Sequence, residues 1–242
     1  MNELDPRPPE VPRTDWQDAV WKLREAEKEH MRRGDALAAA RRRLPMTLMP
    51  QFRLTGANGE VSLQDVFEGR RQLVTYQLMW RDGSDVQCEG CTMFMEHFAS
   101  MRYLNARDTT FAVVTRGAWP EASAYRETMG WTMPWYSSPE LAGYLLEPDT
   151  SFTLTAFLRD GEDVYQTYAT TGRGTETHSY HWSLLDLTAF GRQENWESSP
   201  PGWPQTAPYE WWTVDGVPLA AHERSGGPCC GSRSAGTGSN PP

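Results

Sequence analysis

The stretch from Leu73 to Ser100, LVTYQLMWRDGSDVQCEGCTMFMEHFAS, constrains this chain more than any other. Leu73 to Trp80 mixes apolar and β-favouring residues, as a central strand does. A short polar loop follows, and Cys88-Glu89-Gly90-Cys91 then opens a helix in which Met93, Phe94, Phe98, Met101 and Leu104 recur at helical spacing. Two cysteines separated by two residues, at a helix start and after a strand, can pass electrons between a dithiol and a disulfide.

The flanking sequence supplies the remaining layers. Four prolines in residues 1–13 predict a loose arm. Thr14-Asp15-Trp16-Gln17 fits a capping box, with Thr at the cap and Gln three residues on. From there an amphipathic helix is expected to about Arg43, with Trp16, Val20, Leu23, Met31, Leu37 and Leu44 near one stripe and Pro45 as its stop. Arg41-Arg42-Arg43 reads as the dipole-matched end of that helix.

Phe52 to Thr55 and Glu60 to Leu63 predict a hairpin turned at Asn58-Gly59. Ser62 to Phe67 reads as one helical turn closed by Gly69. Thr110 to Val114 is the next buried strand and Trp119 to Met129 the next helix, with Gly130 at its C-cap. Phe152 to Leu158 and Val164 to Tyr168 predict a second hairpin around Arg159-Asp160-Gly161-Glu162. His181 to Leu187 is a last short helix or strand. Strands alternating with helices and ending in a hairpin define an α/β sandwich.

Residues 196–212, WESSPPGWPQTAPYEWW, are expected to run extended over the domain with their Trp rings docked. Beyond about Ser225 the Gly, Ser and Pro composition is that of a flexible tail.

Bulk composition excludes several classes of function. With 242 residues, 38% hydrophobic and 11 Trp, the chain has material for a real core. A formal charge of −9 argues against general affinity for nucleic acid or anionic membranes. No run approaches the roughly 18 apolar residues of a membrane helix. The polar, acidic start MNELDPRPPE lacks the pattern of a signal peptide, so a cytoplasmic location is expected. In a reducing compartment a close cysteine pair points to catalysis or metal binding before structural crosslinking.

The chemistry expected of the pair follows from helix geometry. Positions i and i+3 share a face, so the sulfurs can close a disulfide. Free N–H groups and the positive end of the helix dipole stabilise a thiolate on the first cysteine and lower its pKa. Cys88 is then the nucleophile and Cys91 the resolving thiol. Glu89 beside it should push the Cys88 pKa up, while Gly90 leaves the backbone accessible to a partner. Inert core thiols and half of a zinc site are the alternatives; zinc would need two more ligands. A peroxidase site is a further competitor, although Asp85 stands where such a site is expected to have Thr, and no Pro lies between Gly69 and Cys88.

Other features carry weaker signals. Cys229-Cys230, in the tail, could shuttle electrons to Cys88 or be incidental. Thr170-Thr171-Gly172-Arg173-Gly174 reads as a surface turn before an anion site. His178 and His181 read as surface histidines, and Trp80, Trp119, Trp131 and Trp135 as packing. There is no G-x-G-x-x-G after any strand and no cofactor is expected.

The segments LREAEKEHMRRGDALAAARRRLP, VSLQDVFEGRRQLVTYQLMW, CEGCTMFMEHF, MGWTMPWYSS, TYATTGRG and LLDLTAFGRQENWESSPPGWPQTAPYEWW resemble the thioredoxin-like proteins grouped as domain of unknown function 899, across residues 14–212. The resemblance implies a thioredoxin-like fold of the peroxiredoxin-like branch with a long added N-terminal helix. It also implies a dithiol-disulfide oxidoreductase or isomerase whose paired cysteines are Cys88 and Cys91. Two departures stand out. Family members often carry Pro-Ser where this chain has Glu89-Gly90. Thioredoxins place a cis-proline before the strand facing the site, where this chain has Asp149-Thr150-Ser151 and, nearest, Pro148.

The expected organisation is an arm at 1–13, a helix at 14–45, a thioredoxin-like domain at 46–195, a Trp/Pro-rich segment at 196–224 and a tail at 225–242. The expected partners are protein or small-molecule disulfides and a thiol electron donor, with neither nucleic acid nor membrane. A homodimer through the N-terminal helix is possible, but that helix could equally pack on its own domain. A non-catalytic binding module of the same fold is the rival reading.

Overall fold

The computed structural model describes residues 7–146 and 150–224. In chain order, helix α1 (Arg13–Arg41) is followed by strands β1 (Thr47–Leu48), β2 (Arg53–Gly56) and β3 (Gly59–Ser62), then β4 (Gln72–Leu78). Next come α2 (Glu89–Met95), α3 (Arg102–Asn105), β5 (Thr109–Thr115), α4 (Trp119–Thr128), β6 (Trp135–Ser137) and α5 (Pro139–Leu145). The hairpin β7 (Thr153–Asp160) and β8 (Asp163–Thr170) precedes α6 (Tyr180–Leu185), and the described chain ends with β9 (Thr213–Val214), β10 (Val217–Pro218) and α7 (Leu219–Arg224).

One sheet organises the molecule, in the order β1-β8-β7-β4-β5-β6-β2-β3. β4 pairs in parallel with β5 along its whole length, from Gln72↔Thr109 to Leu78↔Thr115, and in antiparallel with β7 on its other side. β5 also pairs in parallel with β6. Parallel neighbours require crossovers, which α2–α3 and α4 supply. A β-α-β unit joined to an antiparallel hairpin, with the first strand central, is the expected thioredoxin-like α/β sandwich. β1 and the β2–β3 hairpin extend the sheet at its two edges.

Strand alternation divides the core between the two faces. Tyr76, Leu78, Phe111 and Val113 pack with α2 and α4 in one cluster, which also holds Cys88 and Cys91. Leu73, Ala112 and Val114 face the other way, against Phe67, Leu141 and Phe157.

Several local expectations are revised. α1 starts at Arg13 with Pro12 at the cap position and no side-chain cap bond; Thr14 Oγ1 donates instead to the neighbouring Asp15 carboxylate (3.2 Å), so the capping box does not form. The helix after the cysteines is also shorter than its periodicity suggested. α2 ends at Met95, where Glu96 and Phe98 N–H donate to carbonyls three residues back and tighten the last turn. The chain resumes as α3, and Phe98 stacks on Phe111 (4.2 Å between centroids) from within the break. The apolar spacing therefore continues across an interruption.

At Asn58-Gly59 only Gly59 takes a positive φ (+91°). Several elements lie outside the expectations: β1, the β9–β10 hairpin and α7, β6, which is only three residues long, and α5, although Ser138 caps it by accepting the Leu141 N–H (3.3 Å) with Pro139 in its first turn. His181 to Leu187 resolves as the helix α6.

Residues 196–212 are not extended: they turn repeatedly and close in a 3-10 turn, Glu210–Trp212. Trp211 and Trp212 do dock, on Trp182 (5.6 and 5.7 Å), whereas Trp196 is 45% exposed beneath the Arg173 guanidinium. Beyond them, the β9–β10 hairpin and α7 pack onto α2, the helix that begins at the cysteine pair.

Candidate active site

Cys88 is the N-cap residue of α2, and its Sγ accepts the Cys91 backbone N–H at 3.4 Å. Its carbonyl oxygen accepts both the Thr92 N–H (2.9 Å) and the Thr92 hydroxyl (2.9 Å). That hydroxyl also contacts the Tyr125 OH at 2.8 Å, which ties the start of the helix to α4. Both cysteines are free thiols and buried, Cys88 5% and Cys91 1% exposed.

The two sulfurs titrate apart. The Cys91 thiol donating to the Cys88 sulfur is the largest influence on Cys88, and with the Cys91 and Gly90 N–H groups it holds the Cys88 pKa below its ordinary value. Burial, then the hydrogen bond and charge of Cys88, push Cys91 well up, partly relieved by the Tyr76 hydroxyl. Burial and the nearby sulfurs likewise raise Tyr76 well above its usual range and Tyr125 up to about 12. Charge therefore collects on Cys88 while Cys91 keeps its proton.

Glu89 acts with the expected sign, pushing Cys88 up, but it does not decide the outcome. Its carboxylate is paired with Arg81 Nη2 at 3.0 Å, a partner that sequence spacing did not suggest.

The loop that delivers Cys88 is organised by one buried polar side chain. Gln87 is fully buried; its amide oxygen accepts the Arg81 N–H (2.8 Å), and its amide nitrogen donates to the carbonyls of Arg81 (3.2 Å) and Ser84 (2.7 Å). These bonds satisfy the buried amide and tie Arg81 and Ser84 to the residue before Cys88. Trp80 braces its start: the indole N–H donates to Glu121 (3.3 Å) and the ring lies on Gly117, where a Cβ would come within 2.3 Å of it. Gln87 could have been noticed as an uncharged polar residue directly before the pair, and Tyr76 from its period-two relation to Leu78. No local signal marks Arg81 or Tyr125.

Gly90 does not leave the backbone open. A Cβ there would meet Trp212 Cζ3 at 2.7 Å, so the indole lies against the turn between the two cysteines. β10 and α7 extend the cover along α2, with Ala220 and Ala221 against the core and Arg224 paired to Glu96 at 3.4 Å. Beside Cys91 and Gly90 lies a cavity of about 250 Å³ walled by Tyr76, Phe94, Phe152, Trp182 and Tyr209, with Trp212 across it.

Of the other sequence candidates, Trp80, Trp131 and Trp135 are buried in the core, and Trp119 packs partly against it. Thr170 to Gly174 leads into the 3-10 turn Gly172–His178, where Arg173 pairs with Glu176 (3.3 Å). His178 is exposed, whereas His181 is partly buried and faces His97 at 5.9 Å between ring centroids. Burial, then His181, lowers the His97 pKa to about 4. Among the described residues no group of three or more His, Cys, Asp or Glu is placed to hold a metal ion. Cys229, Cys230, Pro148 and Asp149 lie outside the described residues.

The central β-α-β unit with its antiparallel hairpin gives this chain a thioredoxin-like fold. Residues 6–216 match the model of the family described as "Bacterial protein of unknown function (DUF899)", and the chain belongs to that family. No curated protein matches the chain.

Similar solved structures include a protein from Bacteroides thetaiotaomicron assigned as a protein disulfide isomerase, 16% identical over 60% of this chain and 92% of that one, with a TM-score of 0.38. Another, from Chlorobium tepidum and assigned as the thiol:disulfide interchange protein DsbE, is 16% identical over 59% of this chain and 97% of that one (TM-score 0.38). The C84S mutant of peroxiredoxin Q from Xanthomonas campestris is 13% identical over 56% and 91% (TM-score 0.38). Likeness this distant lends nothing to the chemistry, which has to come from the site itself.

Proposed function

We propose that this protein is a dithiol-disulfide oxidoreductase in which Cys88 is the attacking thiolate and Cys91 the resolving thiol. The observation that carries the reading is the Cys88 sulfur at the cap of α2, bonded to the Cys91 N–H at 3.4 Å, with its pKa lowered first by the Cys91 thiol. A mixed disulfide forms on Cys88, and Cys91, one turn inside the helix, displaces it. A separate thiol donor returns the pair to the dithiol, with no bound cofactor.

Cys88→Ser is expected to abolish disulfide reductase activity, while Cys91→Ser accumulates mixed disulfides that can be trapped from cell extract and identified. Wild-type protein inert toward insulin and toward small disulfides over a range of potentials would sink the proposal.

One observation favours a second reading, a binding module with an idle cysteine pair: Cys88 is only 5% exposed, and Trp212 lies against Gly90 between the two cysteines. A Cys88 pKa equal to that of a free thiol, with no disulfide formed on mild oxidation, is the result that reading requires.

A further inference from the structure

The C-terminal segment that covers α2 and its Gly90 turn is fastened unevenly. Glu194 is 1% exposed, and its carboxylate accepts the Trp196 indole N–H (2.6 Å), the Trp211 indole N–H (3.1 Å) and the Tyr209 backbone N–H (3.0 Å). A buried carboxylate with three donors is a strong clamp, because each bond is charge-assisted and losing any donor would expose an unpaired charge. Further on, β10 and α7 are held by packing on α2 and by the Arg224–Glu96 pair.

Trp212 alone among these three indoles is held by ring packing without a hydrogen bond. Its Nε1–H is buried without a hydrogen-bond partner, which disfavours the position it occupies. It also has room to move, since the aromatic cavity of about 250 Å³ lies on one side and a second cavity of about 220 Å³, lined by Glu96, His181, Trp211 and Leu219, lies on the other.

We propose that Trp212 is the specificity-determining gate of the cysteine pair, and that it admits low-molecular-weight disulfides bearing an apolar or aromatic substituent while excluding protein disulfides. This rests on the redox reading of Cys88 and Cys91. A small disulfide needs only the indole to swing off Gly90, and its substituent then fills the space among Tyr76, Phe94, Phe152, Trp182 and Tyr209. A disulfide on a folded protein brings a surface with it, and that surface collides with the clamped segment and with α7.

The step balances within the pair and its substrate. The Cys88 thiolate attacks one sulfur of RS–SR, forming Cys88–S–S–R as the RS–SR bond breaks, and RS⁻ leaves to take a proton. The Cys91 sulfur, giving up its proton, then attacks Cys88, and the second RS⁻ departs. Two electrons have passed from the dithiol to the substrate, and an external dithiol restores the pair.

The test compares the full chain with its Trp212→Ala and Trp212→Phe variants on 4,4′-dithiodipyridine and on insulin. Each rate is divided by that of the same disulfide with free glutathione, which removes intrinsic reactivity. Wild type is expected to favour the aromatic disulfide by at least about tenfold, the scale on which an apolar pocket discriminates. Trp212→Ala should raise the insulin rate and bring the ratio to within roughly threefold of unity, with Trp212→Phe between the two.

A normalised wild-type ratio near one overturns the gate without reference to any variant, as does an unchanged ratio in a folded variant. Equilibration with oxidised and reduced dithiothreitol, read as the loss of two hydrogens by mass, separates the two levels. If the pair closes its disulfide and the ratio does not move, the gate is wrong and the oxidoreductase stands; if the pair never closes, both fall.

Discussion

Helix α1 and helix α2 are stabilised in opposite ways. α1 has 29 residues, none of them buried, and its apolar stripe is open: Trp16, Leu23, Met31 and Leu37 are between 52% and 62% exposed. What favours it is local, namely strong helix formers such as the run from Glu25 to Glu29, the alanines from Ala38 to Ala40, and the Glu29 pairs with Arg32 and Arg33. Its last turn touches the domain where the Arg41 guanidinium lies over the Tyr168 ring.

α2 has seven residues, including a glycine, a cysteine and a threonine that are poor helix formers, and Cys91, Thr92, Phe94 and Met95 are buried. It exists because the sheet, α4 and α7 enclose it. A helix that chemistry needs in one exact place is thus specified by its neighbours, and the helix that specifies itself is the one the fold leaves unconstrained.

Substitutions can break this contrast, and the largest effect belongs to α2. Phe94, 4% exposed and stacked on Tyr76 at 4.5 Å, is expected to cost about 3–5 kcal/mol when replaced by Ala, read by urea unfolding. A cost under about 1 kcal/mol would mean that α2 does not depend on its packing. Glu194→Ala comes next. It strips three donors of a buried acceptor and should cost about 2–3 kcal/mol while loosening the cover on α2, seen as faster alkylation of Cys88.

The third effect is electrostatic. Because the Cys88 pKa is lowered, its alkylation rate should reach a plateau at a lower pH than that of a free thiol, with the rate falling as pH drops through the folded-state value. Arg81→Ala frees the Glu89 carboxylate and should move the midpoint up; Glu89→Gln should move it down. Equal midpoints in all three proteins would remove the Arg81–Glu89 pair from the account. The smallest effect is on α1, where Trp21→Ala, at a 58% exposed position, should change stability by less than about 0.5 kcal/mol in dilute monomer.

Legibility in the sequence followed the range of the interactions. β4, β5, the β7–β8 hairpin and the cysteine turn were readable because alternation, turn glycines and the cap position are written within a few residues. The helix break after Met95 was not, since Phe98 keeps helical spacing and leaves the helix only to reach Phe111. α5 carried a readable cap in Ser138-Pro139-Glu140 that went unused. The capping box at Thr14 had the right letters, but the chain enters the helix two residues earlier, with Pro12 at the cap position.

The sequence by itself determined that a strand leads to a cysteine pair at the start of a helix, because those preferences are local and need no partner. Only the tertiary structure decided what surrounds the pair: Arg81 on Glu89, Gln87 inside the loop, Tyr76 at Cys91, and Trp212 over Gly90. These contacts join segments far apart in the chain, and their positions are set by burial and shape, which no periodicity encodes. The same two cysteines therefore read as an open site in the sequence and as a covered one in the fold.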